Sequence, residues 1–208
     1  SSLCSLRVKD KAAYYCELTS INQIQEILAF SHNKNIPLLF IGEGTNIVPS
    51  KSYQGMVVKN KLTGIKQLDG FIVEVASGEN WHDFVEWSIS RNMFGLENLA
   101  LIPGSVGAGP IQNIGAYGAD ISSHIKEIKV LNITEGSVEV LDADSCKFDY
   151  RTSIFKERTD LFILSVTFEL DRNPLVNYSY DSLKKEIQDK KINEKDLSPK
   201  DIFQLVSN

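Results

Sequence analysis

The stretch Pro103-Gly104-Ser105-Val106-Gly107-Ala108-Gly109-Pro110-Ile111-Gln112-Asn113-Ile114-Gly115-Ala116-Tyr117-Gly118 carries five of the chain's 13 glycines and two of its six prolines, and no charge. Glycine at this density marks backbone that adopts positive φ or lies directly against something else. Too few side chains remain there to build an ordinary core, so the something else reads as a ligand. The uncharged window extends from Asn98 to Ala119, long enough by length to raise a membrane span, but its glycines, prolines, Asn98, Gln112 and Asn113 exclude an apolar helix.

A second tight loop, Gly42-Glu43-Gly44-Thr45-Asn46, follows the apolar run from Pro37 to Ile41, which reads as a buried strand. The two loops lie about sixty residues apart and suggest one ligand clasped from two sides. Neither regular phosphate motif applies. G-x-G-x-x-G fails at the first loop because Ile47 stands where the third glycine belongs, and G-x-x-x-x-G-K-[ST] has no match. Backbone N–H groups in such turns still bind the oxygens of a diphosphate, which points to a dinucleotide-like ligand on an unusual scaffold. Two purely structural turns are the alternative, since Gly and Asn punctuate turns generally.

Composition bounds the rest. The 208 residues are 42% hydrophobic and 24% charged, as in ordinary globular proteins, and suffice to bury roughly 70% of the unfolded surface. A formal charge of −5 argues against general attraction to nucleic acid or anionic membrane. Cys4, Cys16 and Cys146 are odd in number, lack C-x-x-C spacing and accompany no apolar leader, which predicts a reducing, cytoplasmic setting. His32, His82 and His124 show no paired ligand spacing, so no metal site is expected.

Local patterns give the elements. Tyr14 to Leu18 reads as a strand, followed by a helix capped by Thr19 or Ser20 with Ile21, Ile24, Ile27 and Leu28 on one face. Short strands are predicted at Met56–Lys59, Ile65–Leu68 and Phe71–Ala76, with Asp69-Gly70 as a hairpin turn. Asn80 caps a helix over Trp81–Arg91 whose Trp81, Phe84, Val85, Ser88 and Ile89 form a core face. Strands are expected at Ile125–Ile133, Val138–Leu141 and Leu161–Leu170, with a turn at Glu135-Gly136 and one helical turn over Asp142–Cys146. Lys184 to Lys200 reads as a solvated helical face, and Ser198-Pro199 starts a last helix through Val206.

The long loop, the Gly42–Asn46 loop, Gly78-Glu79-Asn80-Trp81-His82, Gly95-Leu96-Glu97-Asn98-Leu99 and Phe148-Asp149-Tyr150-Arg151-Thr152-Ser153-Ile154-Phe155-Lys156, in this order from Leu6 onward, resemble the UDP-N-acetylenolpyruvoylglucosamine reductases (the MurB family) of bacterial cell-wall synthesis. The resemblance implies an α+β fold of the PCMH / vanillyl-alcohol oxidase type, in which two α+β subdomains clasp FAD. The change from a strand-helix-strand unit to short strands near Tyr53 to Asn60 divides the chain into subdomains 1–59 and 60–197, and the resemblance makes 198–208 the start of a truncated substrate-binding domain. The resemblance also implies NADPH as hydride donor and a UDP-sugar as substrate.

By the same resemblance Gly42, Glu43, Gly44, Thr45, Asn46, Pro103, Gly104, Ser105, Gly107, Ala108 and Gly109 hold the FAD diphosphate, and Ile111 and Gly115 lie near its isoalloxazine. Arg151 matches the family's catalytic arginine, whose planar fork suits the enolpyruvyl carboxylate. Tyr117, Tyr150 and Tyr180 line the substrate pocket. Ala108-Gly109 departs from the small polar pair expected there, which puts side-chain contacts in question and leaves backbone ones. The family's proton-donating serine and second acid, a glutamate, match nothing here and belong to the further domain; general acid catalysis supplies about 10²- to 10⁴-fold, so the chain alone is expected to be inactive. Alternatives are another flavin oxidoreductase on the same fold, or a non-catalytic FAD-binding module. From the residues alone, Glu43 and Glu97 read as structural hydrogen-bonding groups rather than acids, and Tyr178 and Tyr180 as alternating residues of an extended strand.

Overall fold

The computed structural model describes residues 3–7, 11–49 and 51–207. In chain order its elements are β1 (Ala12–Leu18), α1 (Ile24–Lys34), β2 (Leu38–Ile41), β3 (Tyr53–Asn60), β4 (Ile65–Asp69), β5 (Ile72–Ala76), α2 (Trp81–Ser90), β6 (Gly115–Ala116), β7 (Ala119–Asp120), β8 (Ile125–Asn132), β9 (Val138–Asp142), β10 (Leu161–Glu169), α3 (Asp181–Asp189) and α4 (Pro199–Ser207), joined by several single 3-10 turns. The mixture of a helix-backed parallel sheet and a larger antiparallel sheet is the α+β arrangement expected of an FAD-binding fold.

The first sheet has the order β1-β3-β2, with both pairings parallel. Its central strand is buried from Gly55 to Asn60 on both faces, as parallel strands usually are. This strand starts at Tyr53, three residues before the predicted Met56, because Gly55 hid the apolar pattern. Ser20 caps the turn that leads into α1 in a reciprocal box with Gln23, and Ile24 and Ile27 of α1 are buried. The chain leaves the carboxyl end of β2 directly into Gly42, the edge at which α/β sheets present ligand loops.

The second sheet has the order β4-β5-β10-β8-β9 and is antiparallel throughout. Gly70, at φ +51, makes the predicted tight turn between β4 and β5, and Gly136, at φ +71, the one before β9. One face of this sheet packs on α2, where Phe84 and Trp81 lie 5.0 and 6.2 Å from Phe168 of β10 between ring centroids. Trp81 is buried whole, its indole N–H donating to the Leu99 carbonyl at 2.7 Å. Asn80 accepts from the Asp83 N–H, as its capping pattern predicts. Leu183 and Ile187 of α3 and Ile202, Leu205 and Val206 of α4 complete the same core, so the helix read as opening a further domain is seated against α2.

A second, smaller core joins the two sheets. Leu18, Met56 and Val58 meet Leu131 and Leu164, and Phe40 stacks on Phe162 at 4.2 Å. Two expectations are corrected. The helical face expected from Lys184 to Lys200 ends at Asp189, where Lys191 at φ +53 reverses the chain before a separate turn at Glu194–Asp196. Tyr180 lies outside any strand and is the residue before α3. Ser198 caps α4 in a reciprocal pair with Asp201. Among the described residues no helix is long and apolar enough to cross a membrane.

Candidate functional site

The two glycine loops meet. The Thr45 hydroxyl donates to the Pro103 carbonyl at 3.2 Å, and the Asn46 amide donates to Gln112 Oε1 at 3.3 Å. Gly42 lies so close to Ser105 that a Cβ there would sit 2.4 Å from the serine Oγ, which would have to rotate away. Between the loops opens a cleft of about 520 Å³, lined by Gly42, Glu43, Gly44, Thr45, Asn46, Pro103, Gly104, Ser105, Ala108, Gly109 and Ile111 among the predicted residues. A neighbouring cleft of about 390 Å³ shares Gly42, Ser105, Ala108 and Ile111 with it and adds Gly107. Both fall in the size range of small-molecule sites.

The chemistry of the cleft has two halves. Among the described residues, nothing accepts a hydrogen bond from the backbone N–H groups of residues 42 to 46, 104 or 105, although Gly104 and Ser105 are buried. Buried N–H groups are nearly always paired, so this set of donors fits an anionic group such as a diphosphate. Lys156 adds a cation to the lining. Apart from Gln112, the rest of the wall is apolar, with Leu39, Phe40, Ile41, Trp81, Ile102 and Ile114. Such a wall suits the flat rings of FAD, and the residues present therefore fit that cofactor.

Arg151 lies outside both clefts, on a tight turn closed by the bridge between Asp149 and Thr152. Three ties bind this turn to the glycine loop: Arg151 Nη2 to the Gly115 carbonyl at 2.5 Å, Ser153 Oγ to the Ile111 carbonyl at 2.8 Å, and Asn113 Nδ2 to the Asp149 carbonyl at 3.2 Å. Arg151 takes a left-handed φ of +55, and its carbonyl accepts from the Lys156 ammonium at 2.5 Å. Gly115 thus bears on the arginine rather than on either cleft. Tyr150, next to Arg151, is 88% exposed.

Tyr117 and Tyr180 face each other edge to face, 5.5 Å apart between centroids. The buried Asn98 holds that pair together, its amide donating to the carbonyls of Tyr117 at 3.1 Å and Asn177 at 2.8 Å. Glu97 is also buried and accepts from the Gly95 N–H at 2.6 Å, a structural role as its sequence context suggests. Burial raises its carboxyl above the usual range, an effect that the Gly95 hydrogen bond and nearby His124 partly oppose.

Sequence reasoning gave no role to Lys59, Lys156, Asn113 or Ser153. Lys59 is 7% exposed, and its ammonium lies 2.6 Å from the Gly42 carbonyl and 3.5 Å from Glu43 Oε1. The signal was a single charge ending the apolar run Gly55-Met56-Val57-Val58. Lys156 and Ser153 lay within a motif read chiefly for its arginine.

A family model described as "FAD binding domain" matches residues 12–142. UDP-N-acetylenolpyruvoylglucosamine reductases are among the similar curated proteins. The one from Pasteurella multocida is 40% identical over 172 residues, covering 80% of this chain and 50% of the relative. That from Chromobacterium violaceum is 37% identical over 86% of this chain and 54% of the relative, and that from Burkholderia multivorans 36% identical over 94% and 58%. The chain spans about half the length of the curated relatives it matches. The crystal structure of a reductase of the same description from Thermus caldophilus superposes with a TM-score of 0.64 at 17% identity, covering 88% of this chain and 63% of that one. That likeness concerns the fold.

Proposed function

The chain belongs to the FAD binding domain family, and from that premise we propose that it is the cofactor-holding portion of an NADPH-dependent UDP-N-acetylenolpyruvoylglucosamine reductase, working in the cytoplasm in peptidoglycan synthesis. The observation that carries this reading is that the loops of residues 42 to 46 and 104 to 105 line one cleft while their backbone N–H groups have no acceptor among the described residues, with Arg151 tied to the adjoining loop through Gly115. When bound there, FAD supplies a ring able to accept hydride from a nicotinamide and to deliver it to a polarised double bond.

The chain's own residues bind, orient and shield. The two loops neutralise a diphosphate through N–H groups fixed before the ligand arrives, which keeps the ordering cost low. Trp81, Ile102 and Ile114 keep water from the apolar half of the cleft. Arg151 uses one Nη2 hydrogen on Gly115; among the described residues nothing else accepts from its guanidinium, so the fork that uses the other Nη2 hydrogen is left for a carboxylate. Negative charge builds on the enolpyruvyl carboxylate as its double bond is reduced, and a fixed cation there lowers the barrier. Tyr117, Tyr150 and Tyr180 form, in this reading, the near wall of the UDP-sugar site. In this reading the remaining wall and the proton donor come from residues outside this chain, as the family resemblance implies.

A visible absorption spectrum of the purified chain, taken before and after FAD is added and excess removed, tests the cofactor. The expected result is a retained flavin band that NADPH bleaches and that the UDP-sugar substrate, in the full-length protein, restores. A chain that retains no flavin overturns the reading. A retained flavin that ignores both NADPH and the UDP-sugar assigns the chain to another flavin oxidoreductase.

A further inference from the structure

Lys59 closes the apolar run of β3 and is buried outside the lining of the cleft. A buried ammonium needs oxygen partners, and those it has are the Gly42 carbonyl and the Glu43 carboxylate. Both belong to the loop that we read as the diphosphate cradle.

Two consequences follow from this geometry. The Gly42–Glu43 peptide is trans and planar, so its C=O and N–H point in opposite directions. Holding the Gly42 carbonyl on Lys59 therefore turns the Glu43 N–H away from the ammonium and fixes its direction beside the cleft that Gly42 and Glu43 line. The second consequence is electrostatic. Glu43 lines the cleft, and a carboxylate beside an anionic ligand repels it. The ammonium at 3.5 Å offsets that charge from behind.

We propose that Lys59 is a positioning residue of the diphosphate cradle, which fixes the Gly42–Glu43 peptide and cancels the Glu43 charge so that the loop accepts a dianionic diphosphate. The inference rests on the FAD reading above and adds a residue outside the cleft lining. It also accounts for a carboxylate in an anion-binding loop.

The test is titration of FAD into the full chain, followed by flavin fluorescence, for wild type, Lys59→Met, Glu43→Gln and the double variant, with far-UV circular dichroism to verify folding. Lys59→Met is expected to weaken FAD binding at least tenfold. Glu43→Gln is expected to tighten it at least twofold, and to recover at least threefold when added to Lys59→Met. A folded Lys59→Met that binds FAD as wild type does overturns the proposal, as does a loss that Glu43→Gln leaves unrelieved, since that loss would come from the scaffold. Should Lys59→Met not fold, Glu43→Gln alone decides, and unchanged or weaker binding overturns the proposal. Wild type that binds no FAD sinks the cofactor reading itself, an outcome distinct from any of these.

Discussion

Arg151 Nη2 and the Gly115 carbonyl oxygen lie 2.5 Å apart, which joins a turn in the second half of the chain to the end of the glycine loop. The guanidinium is thereby aimed by backbone instead of by a carboxylate, and its charge stays available to a ligand. Arg151→Ala is expected to change FAD affinity less than about threefold, while substrate reduction by the full-length reductase falls by about 10²- to 10³-fold, the scale of losing one fixed group that stabilises developing charge. Equal losses in both measurements would assign the residue to cofactor binding.

Gly107 is packed against Ser77 so closely that a Cβ would meet the serine Cβ at 2.4 Å and its carbonyl oxygen at 3.0 Å. Ser77 is fully buried, and its carbonyl already accepts the Gly107 N–H at 2.9 Å, so neither side has room to withdraw. Gly107→Ala should cost about 1–3 kcal/mol, the usual range for forcing extra volume into a packed site. In a chain of this size each kcal/mol lowers Tm by about 2–4 °C, which differential scanning fluorimetry resolves. Gly70→Asn serves as control: a Cβ at Gly70 meets nothing within 4 Å, and Asn tolerates a left-handed φ, so Tm should hold.

Glu97 gives a pH dependence with a definite sign. Burial raises its folded-state carboxyl above the ordinary glutamate value, so the folded chain holds this proton when the unfolded chain has released it. The folded state then binds more protons than the unfolded state, and this group's contribution to stability falls as pH rises from about 4.3 through the raised value. Glu97→Gln keeps an oxygen for the Gly95 N–H and removes the titration. Urea melts at pH 4 and pH 7 should show the variant gaining on wild type as pH rises. A difference independent of pH would remove Glu97 as the source.

The elements with a clean period were legible in the sequence. Trp81, Phe84, Val85, Ser88 and Ile89 recur at helical spacing and are all buried, and Asp69-Gly70 turns where turn chemistry places it. The meeting of the two loops was legible too, because glycine density records close approach. What was hidden depends on partners distant in sequence. Gly55 masked the start of β3, whose burial comes from β1 and β2 on either side. Lys191 allowed the chain to leave helical geometry inside a stretch whose charge pattern suits a helix. Lys59 was legible only as the end of a strand, since a single lysine gives no sign of the carbonyl that will receive it.

Asn98 supports a final prediction that separates the two halves of the site. Its buried amide bridges the carbonyls of Tyr117 and Asn177, and Asn177 in turn donates to the Gly118 carbonyl at 3.1 Å. The segment that leads to Tyr180 is thus hung from the end of the glycine loop by side-chain amides, without a strand ladder. Asn98→Leu keeps similar volume but leaves two carbonyls without their donor, at a cost of about 1–3 kcal/mol for each that stays dry. The loss should be local, because that segment lies outside any strand ladder, whereas β10 is paired on both sides. Hydrogen exchange should accelerate at least tenfold across residues 177 to 180 with little change across 161 to 169. FAD affinity should hold, since the cleft walls lie elsewhere, and weaker binding of the UDP-sugar by the full-length reductase should accompany the loosened Tyr180. Uniform acceleration in both segments would instead make Asn98 a residue of the general core.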